Sequence, residues 1–122
     1  MLNGNGSMKI YLGVPYSDPD EKVKEARFEA VTDKTGELMN AGHIVYSPIT
    51  ACHPVATRCS LPGTWEYWEA LDRSFIEWSD EVWILTLDGW KESTGVNAEI
   101  KIAEDLGKPV KFIGANDEVC KC

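Results

Sequence analysis

The sequence predicts an α/β fold: a mainly parallel sheet of four to five strands, covered by helices on both faces. Three observations carry that prediction. Four short, nearly continuous apolar runs, Lys9–Val14 (KIYLGV), His43–Ser47 (HIVYS), Val82–Leu87 and Val110–Ile113 (VKFI), have the character of strands buried on both sides. Stretches of helical spacing separate them, which gives the order β-α-β-α-β-α-β. The segment from Glu81 to Leu106 shows the unit at its clearest: an apolar strand stops at Asp88-Gly89, passes a polar Ser93-Thr94-Gly95 turn and enters a helix that carries Glu99. Right-handed crossovers are expected, together with the strand order 2-1-3-4, which places the switch point between the first and third strands.

The first strand ends at Gly13 and Pro15. A helix follows, with Asp18 as its expected N-cap, Pro19 in the first helical position and Glu21 three residues after the cap, as a capping box requires. Val23, Ala26, Ala30 and Leu38 keep a helical period across the weaker TDKTGE stretch, and Gly42 is the expected stop. After the HIVYS strand, Pro48–Gly63 holds three prolines and two cysteines with no sustained period, and is expected to be a long loop serving as a lid or binding loop. Thr64 caps the next helix, where Trp65, Trp68, Leu71, Phe75 and Ile76 form an apolar stripe that ends near Ser79-Asp80. The last helix runs from about Thr94 to Leu106, with Gly107 as its C-cap, before the final strand. There are no internal repeats.

At 122 residues and 43% hydrophobic, the chain has the size of one domain with a real core, expected over residues 8–122. The polar start Met1–Ser7 lacks the apolar region of a signal peptide and is expected to be a tag remnant or disordered leader, with Met8 a natural start. No apolar run approaches the length of a membrane span, so a cytoplasmic protein without membrane contact is expected. A net charge of −8 disfavours duplex nucleic acid, whose binding needs many Lys and Arg contacts to phosphate. A small anion remains compatible with that charge, because a helix amino terminus can hold one locally. Cys52, His53, Cys59, Cys120 and Cys122 match no zinc spacing, and reduced thiols are the expected state, with no metal and no cofactor.

Glu99 lies three residues before Ile102 and seven before Leu106, on the line that should face the sheet. There it would be partly desolvated, and must be paired, protonated or functional; a surface glutamate favouring the first turns of its helix is the other reading. Asp72 falls on the apolar stripe between Trp68 and Phe75, where aspartate has no packing reason to be. Two carboxylates aimed at one sheet edge are the minimum kit for nucleophile and general-acid chemistry at a glycosidic bond. A salt bridge from Asp72 to Arg27, Arg58 or Arg73 would be the blander explanation. Tyr11, a phenol in an apolar strand, needs a partner that a buried carboxylate or a backbone carbonyl could supply. Ser93, Thr94 and Gly95 combine hydroxyls and N–H groups at a helix amino terminus, either as a phosphate cradle or as ordinary capping. Trp90 could stack on a base or only shield the core; His43 and His53 fit no triad and are expected in structural or substrate-contacting roles.

Taken together, IYLGVPYS at the first strand, Asp72 with Asp80 across the helix that follows Thr64, LDGW after the third strand, and STGVNAEI leading to GKPV resemble the nucleoside 2-deoxyribosyltransferase-like superfamily. Within it the chain is most similar to a small bacterial and phage branch, the domain of unknown function 1937. The resemblance implies a flavodoxin-like (Rossmann-like) three-layer α-β-α sandwich. It also implies a glutamate nucleophile that attacks the sugar C1′ and forms a covalent glycosyl-enzyme as the base departs. Glu99 matches that nucleophile, Tyr11 the tyrosine that orients it and Asp72 the aspartate that handles the proton of the base. Ser93 resembles a position that contacts a 5′-phosphate, and the substrate-binding set it implies is Ser93, Thr94, Gly95, Gly13, Asp88, Trp90 and Asn116. Asn116 is expected to act across the interface of a homo-oligomer. The loop PYSDPDE departs from the glycine-rich or arginine-bearing loop of phosphate-binding members. The expected function is therefore an N-glycosidase acting on a nucleoside or its 5′-monophosphate, by hydrolysis or transfer; the alternative is a nucleotide-binding or sensing module of the same fold.

Overall fold

A computed structural model describes residues 8–117; the expected leader Met1–Ser7 and the cysteines Cys120 and Cys122 lie outside them. In chain order the elements are β1 (Lys9–Gly13), α1 (Glu21–Asn40), β2 (Ile44–Tyr46), α2 (Pro48–Cys59), α3 (Trp65–Trp78), β3 (Glu81–Leu85), α4 (Thr94–Asp105) and β4 (Val110–Ile113). The strands pair in parallel in the expected order β2-β1-β3-β4. The fold is the expected three-layer α-β-α sandwich.

The two-residue alternation of β1 divides the core. Ile10, Leu12 and Val14 face one way and pack with Val31 and Leu38 of α1, Leu85, Ile113 and, from α2, Ile49. Tyr11 faces the other way, among Ile76 of α3, Val82 and Ile84 of β3, and Val96, Ile102 and Ala103 of α4. Each such aliphatic side chain taken out of water contributes about 1.5–3 kcal/mol, so both helical layers are held by the same central strands. Gly13 follows Tyr11 on the α3/α4 face and pairs with Ile84. That face carries the site.

Four local expectations are corrected. The cap of α1 is Asp20, whose side chain accepts from the Lys22 N–H, because Asp18 instead accepts from the Asp20 N–H and closes a turn around Pro19. Most of Pro48–Gly63 is helix and not loop: Ser47 caps α2 by accepting from the Thr50 N–H, and Pro48 sits in the first turn, where a missing N–H costs nothing. Pro54, inside α2, removes one backbone bond, and the packing of the helix on α1, including Thr32 Oγ1 to Thr50 Oγ1 at 2.9 Å, offsets that loss. In α3 the buried line runs through Asp72 and Ile76, while Leu71 is exposed, and Thr64 occupies the N-cap position without a side-chain cap bond. β3 starts at Glu81 and ends at Leu85, two residues short of its apolar run. Among the described residues no helix is long and apolar enough to cross a membrane, and no group of three or more His, Cys, Asp or Glu is placed to hold a metal ion.

Candidate active site

The inward face of α4 is Val96, Glu99, Ile102 and Ala103, so helical periodicity alone carries a carboxylate into the α3/α4 core. Glu99 is 5% exposed. The Tyr11 hydroxyl donates to its Oε2 at 2.5 Å, within the layer. Its Oε1 is buried without a hydrogen-bond partner among the described residues. That oxygen lies against Gly13: a Cβ there would stand 2.6 Å from Glu99 Oε1 and 3.0 Å from Ile84 Cδ1, so only glycine fits beneath the carboxylate. Strand alternation thus supplies both the donor and the gap, two residues apart.

Asp72, on α3, is 7% exposed and forms no ion pair among the described residues. None of the three arginines proposed for it pairs with it: Arg27 donates to the carbonyls of Tyr16, Ser17 and Asp88, Arg73 pairs with Glu69, and Arg58 forms no ion pair among the described residues. Burial pushes Glu99 up to about 8, with the Tyr11 hydroxyl opposing the rise and the charge of Asp72 adding to it. Burial likewise pushes Asp72 up to about 7, partly offset by the Tyr11 hydroxyl. Tyr11 is raised well above its usual range by burial first and then by the two carboxylates. Near neutral pH the two carboxyl groups therefore share one or two protons and titrate as a pair. Such a pair can supply a nucleophile and an acid from the same constellation.

Both carboxyl groups open on a cleft of about 750 Å³, a size suited to a small organic ligand. Its walls are built by the residues that follow β1, β2 and β3, which places it at the carboxyl edge of the sheet, beside the β1/β3 switch point. Ser93, Thr94 and Gly95 line it, although the Ser93 Oγ already caps α4 by accepting from the Val96 N–H at 3.2 Å. Its charged lining is mostly acidic, with Glu21, Glu66 and Glu92 beside Asp72 and Glu99, and Lys24 pairs with Glu21 at 3.4 Å. The other predicted binding residues lie elsewhere. Gly13 sits beneath Glu99 and off the cleft wall; the Asp88 side chain is exposed while its carbonyl accepts from Arg27. Trp90 packs 5.1 Å from the Phe112 ring, and Asn116 is exposed in the turn after β4. His43 is buried at the start of β2, beside Trp83.

Residues 8–115 match the domain of unknown function DUF1937. The chain belongs to the DUF1937 family. In structure, this DUF1937 chain is similar to the 2-deoxyribosyltransferase of the psychrotolerant bacterium Bacillus psychrosaccharolyticus, with a TM-score of 0.59 and 25% sequence identity over 91% of this chain and 75% of that one. These two findings agree with the superfamily resemblance and with the flavodoxin-like fold. No curated protein sequence matches the chain.

The cleft of this DUF1937 domain includes residues for which the sequence pointed to another role or to none: Tyr16 and Cys52 had no site role, Trp65 and Trp68 were expected in the core, and His53 was expected in a structural or substrate-contacting role. Tyr16 lines the cleft just after β1, His53 and Cys52 reach it from α2, and Trp65 and Trp68 from the start of α3. The signal available for Tyr16 was its place, a phenol at the carboxyl end of a central strand. Cys52 was concealed by the reading of α2 as a loop, whereas the helix brings it to the cleft beside His53.

Proposed function

We propose that this DUF1937 protein is an N-glycosidase that cleaves or transfers the N-glycosidic bond of a nucleoside or nucleoside 5′-monophosphate. The observation that carries the reading is the Glu99 carboxyl group, bonded at one oxygen by Tyr11 and left unpartnered at the other, in the same cleft as a second buried carboxyl group, Asp72. The likeness to a 2-deoxyribosyltransferase supports it. The reactive form is the one in which the single proton of the pair sits on Asp72: in the first step Glu99 Oε1 then attacks C1′ of the sugar, the C1′–N bond breaks, and its electron pair leaves with the base, which takes the proton of Asp72. The products are a glycosyl ester on Glu99, a neutral base and an Asp72 carboxylate. In the second step water or another base attacks C1′ and gives a proton to Asp72, and Glu99 leaves as a carboxylate. Tyr11 orients the nucleophile throughout and spreads the charge that returns to Oε2.

The test is incubation with a panel of nucleosides and their 5′-monophosphates, with free base read by chromatography and Glu99→Ala run alongside. Base release that disappears in the variant supports the reading. Binding without release from any substrate would replace it with the sensing-module alternative. The proposal extends to a homo-oligomer in which Asn116 completes a neighbouring copy's cleft. Mixing inactive Glu99→Ala with Asn116→Ala protein should then restore activity above that of either alone.

A further inference from the structure

A second chain of polar side chains reaches the cleft from the α1/α2 side. The Tyr16 hydroxyl is hydrogen-bonded to His53 Nδ1, and His53 Nε2 lies 3.1 Å from Glu25 Oε1. Three elements contribute: the β1–α1 loop, α2 and α1. Their geometry is fixed on every side. The His53 ring stacks on Phe28 at 4.4 Å and 28°, and meets the Tyr16 ring edge-on at 5.5 Å. Arg27 Nη1 donates to the carbonyls of Tyr16 and Ser17 at 3.3 and 3.2 Å, which anchors the backbone that carries the phenol. Lys24 Nζ lies 5.4 Å from the Tyr16 ring centre.

The direction of these bonds follows from the acceptor at the far end. In the neutral imidazole Nε2–H donates to the Glu25 carboxylate, so Nδ1 presents a lone pair and the Tyr16 hydroxyl donates to it. With its proton directed at His53, the phenol oxygen offers only lone pairs to the cleft that Tyr16 lines. We propose that Tyr16, oriented by His53 and Glu25, is the hydrogen-bond acceptor by which the cleft selects its substrate, reading an O–H of the sugar or an N–H of the base. The assignment rests on the N-glycosidase reading for the identity of the ligand and adds a selectivity residue to it. Tyr16 touches substrate; His53 and Glu25 are positioning residues. An acceptor fixed in this way rejects analogues lacking the donor, because its bound state leaves the phenol oxygen unpaired.

Affinity and steady-state kinetics on Tyr16→Phe test this, with adenosine, guanosine, cytidine, thymidine and their analogues lacking one sugar hydroxyl or one base N–H donor. The ring and its contacts remain in this variant, and only the hydroxyl is lost. The expected result is KM and Kd raised about ten- to a hundredfold for the preferred nucleoside, with kcat changed far less. One analogue should bind wild type and variant equally, and its missing group tells sugar recognition from base recognition. His53→Phe, which keeps the stacking, should lose part of the selectivity, and His53→Gln, whose carbonyl can accept from the phenol, should restore some of it. Equal affinities of wild type and Tyr16→Phe for every nucleoside and analogue would overturn the assignment. Wild-type binding without base release would remove the glycosidase reading but leave Tyr16 decided by the affinities. A folded wild type that binds no nucleoside would remove both.

Discussion

Replacing Glu99 with glutamine should remove most of the fall of stability with rising pH, and the size of the effect follows from the burial of the carboxyl group. In the folded protein Glu99 is raised from an ordinary value of 4.5 to about 8. Between those values the native state holds a proton that the unfolded chain has released, so stability must fall as pH rises. The contribution of Glu99 is fully present below pH ~4.5 and is lost as pH passes through about 8. Three and a half pKa units at 1.36 kcal/mol each set a ceiling of about 5 kcal/mol. For a chain of this length about 1 kcal/mol moves Tm by roughly 4 °C, so a fall of about 10–20 °C between pH 5 and 9 is expected from this group. Glutamine cannot ionise and lacks that slope. At pH 5 it costs something, because the amide that replaces Oε1 finds no acceptor above Gly13, a loss of about 1–3 kcal/mol. Thermal melts of both proteins at fixed ionic strength should therefore cross: the variant is less stable at pH 5 and more stable at pH 9. Residual slope in the variant belongs to Asp72 and should disappear in Glu99→Gln/Asp72→Asn. Parallel melting curves across this range would refute a buried Glu99 that holds its proton above the usual carboxyl range.

Gly13→Ala should destabilise the fold by about 1–3 kcal/mol through overpacking against Glu99 and Ile84, and most of that loss should vanish when it is combined with Glu99→Ala in a denaturation double-mutant cycle. Tyr11→Phe removes the donor that lowers Glu99, so the acid limb of the kcat/KM profile should move to higher pH and activity at pH 7 should drop about tenfold or more, as read by base release. The kcat/KM profile of wild type should be bell-shaped with its maximum between about 7 and 8, where one proton is shared by the Asp72–Glu99 pair; a flat profile from pH 6 to 9 would remove the pair from the chemistry. The acidic lining beside Ser93 should disfavour a 5′-monophosphate against its nucleoside in kcat/KM, and Glu92→Gln should narrow that gap in direct competition assays.

The sheet was legible because each strand is an apolar run between turn signals, and the alternation of strands with helical segments points to a parallel, doubly wound order. What misled in α2 was the count of prolines, when their positions decide: Pro48 stands in the first turn of the helix, where it is favourable, and only Pro54 opposes it. At the site, Asp72 and Glu99 stood out as carboxylates on apolar lines, and the structure turns both toward one cleft. Trp90 shows the limit of such reading. Position after β3 suggests a ligand contact, whereas Phe112 on β4, distant in sequence, offers the ring an apolar neighbour that no local pattern announces. The contact of Tyr16, His53 and Glu25 was equally hidden, since it depends on how α1 and α2 pack and not on the spacing of any one segment.

The placement of Glu99 also explains why the site sits on this face of the sheet and not on the α1/α2 face. A buried carboxyl group needs a donor that is itself dry and a backbone close enough to exclude water from its other oxygen. On β1 only the Tyr11–Gly13 side provides both, because alternation places the phenol and the glycine together, while Ile10, Leu12 and Val14 fill the opposite face. The unpartnered Oε1 is then the one buried polar atom among the described side chains whose hydrogen bond is missing. A ligand atom that arrives there gains an interaction that no side chain competes for, and the cost of keeping it open is carried by the aliphatic core of α3, α4 and β3. That separation of roles predicts that core substitutions such as Ile102→Val lower Tm with little change in the pH profile, whereas Gly13 and Tyr11 substitutions move the profile itself.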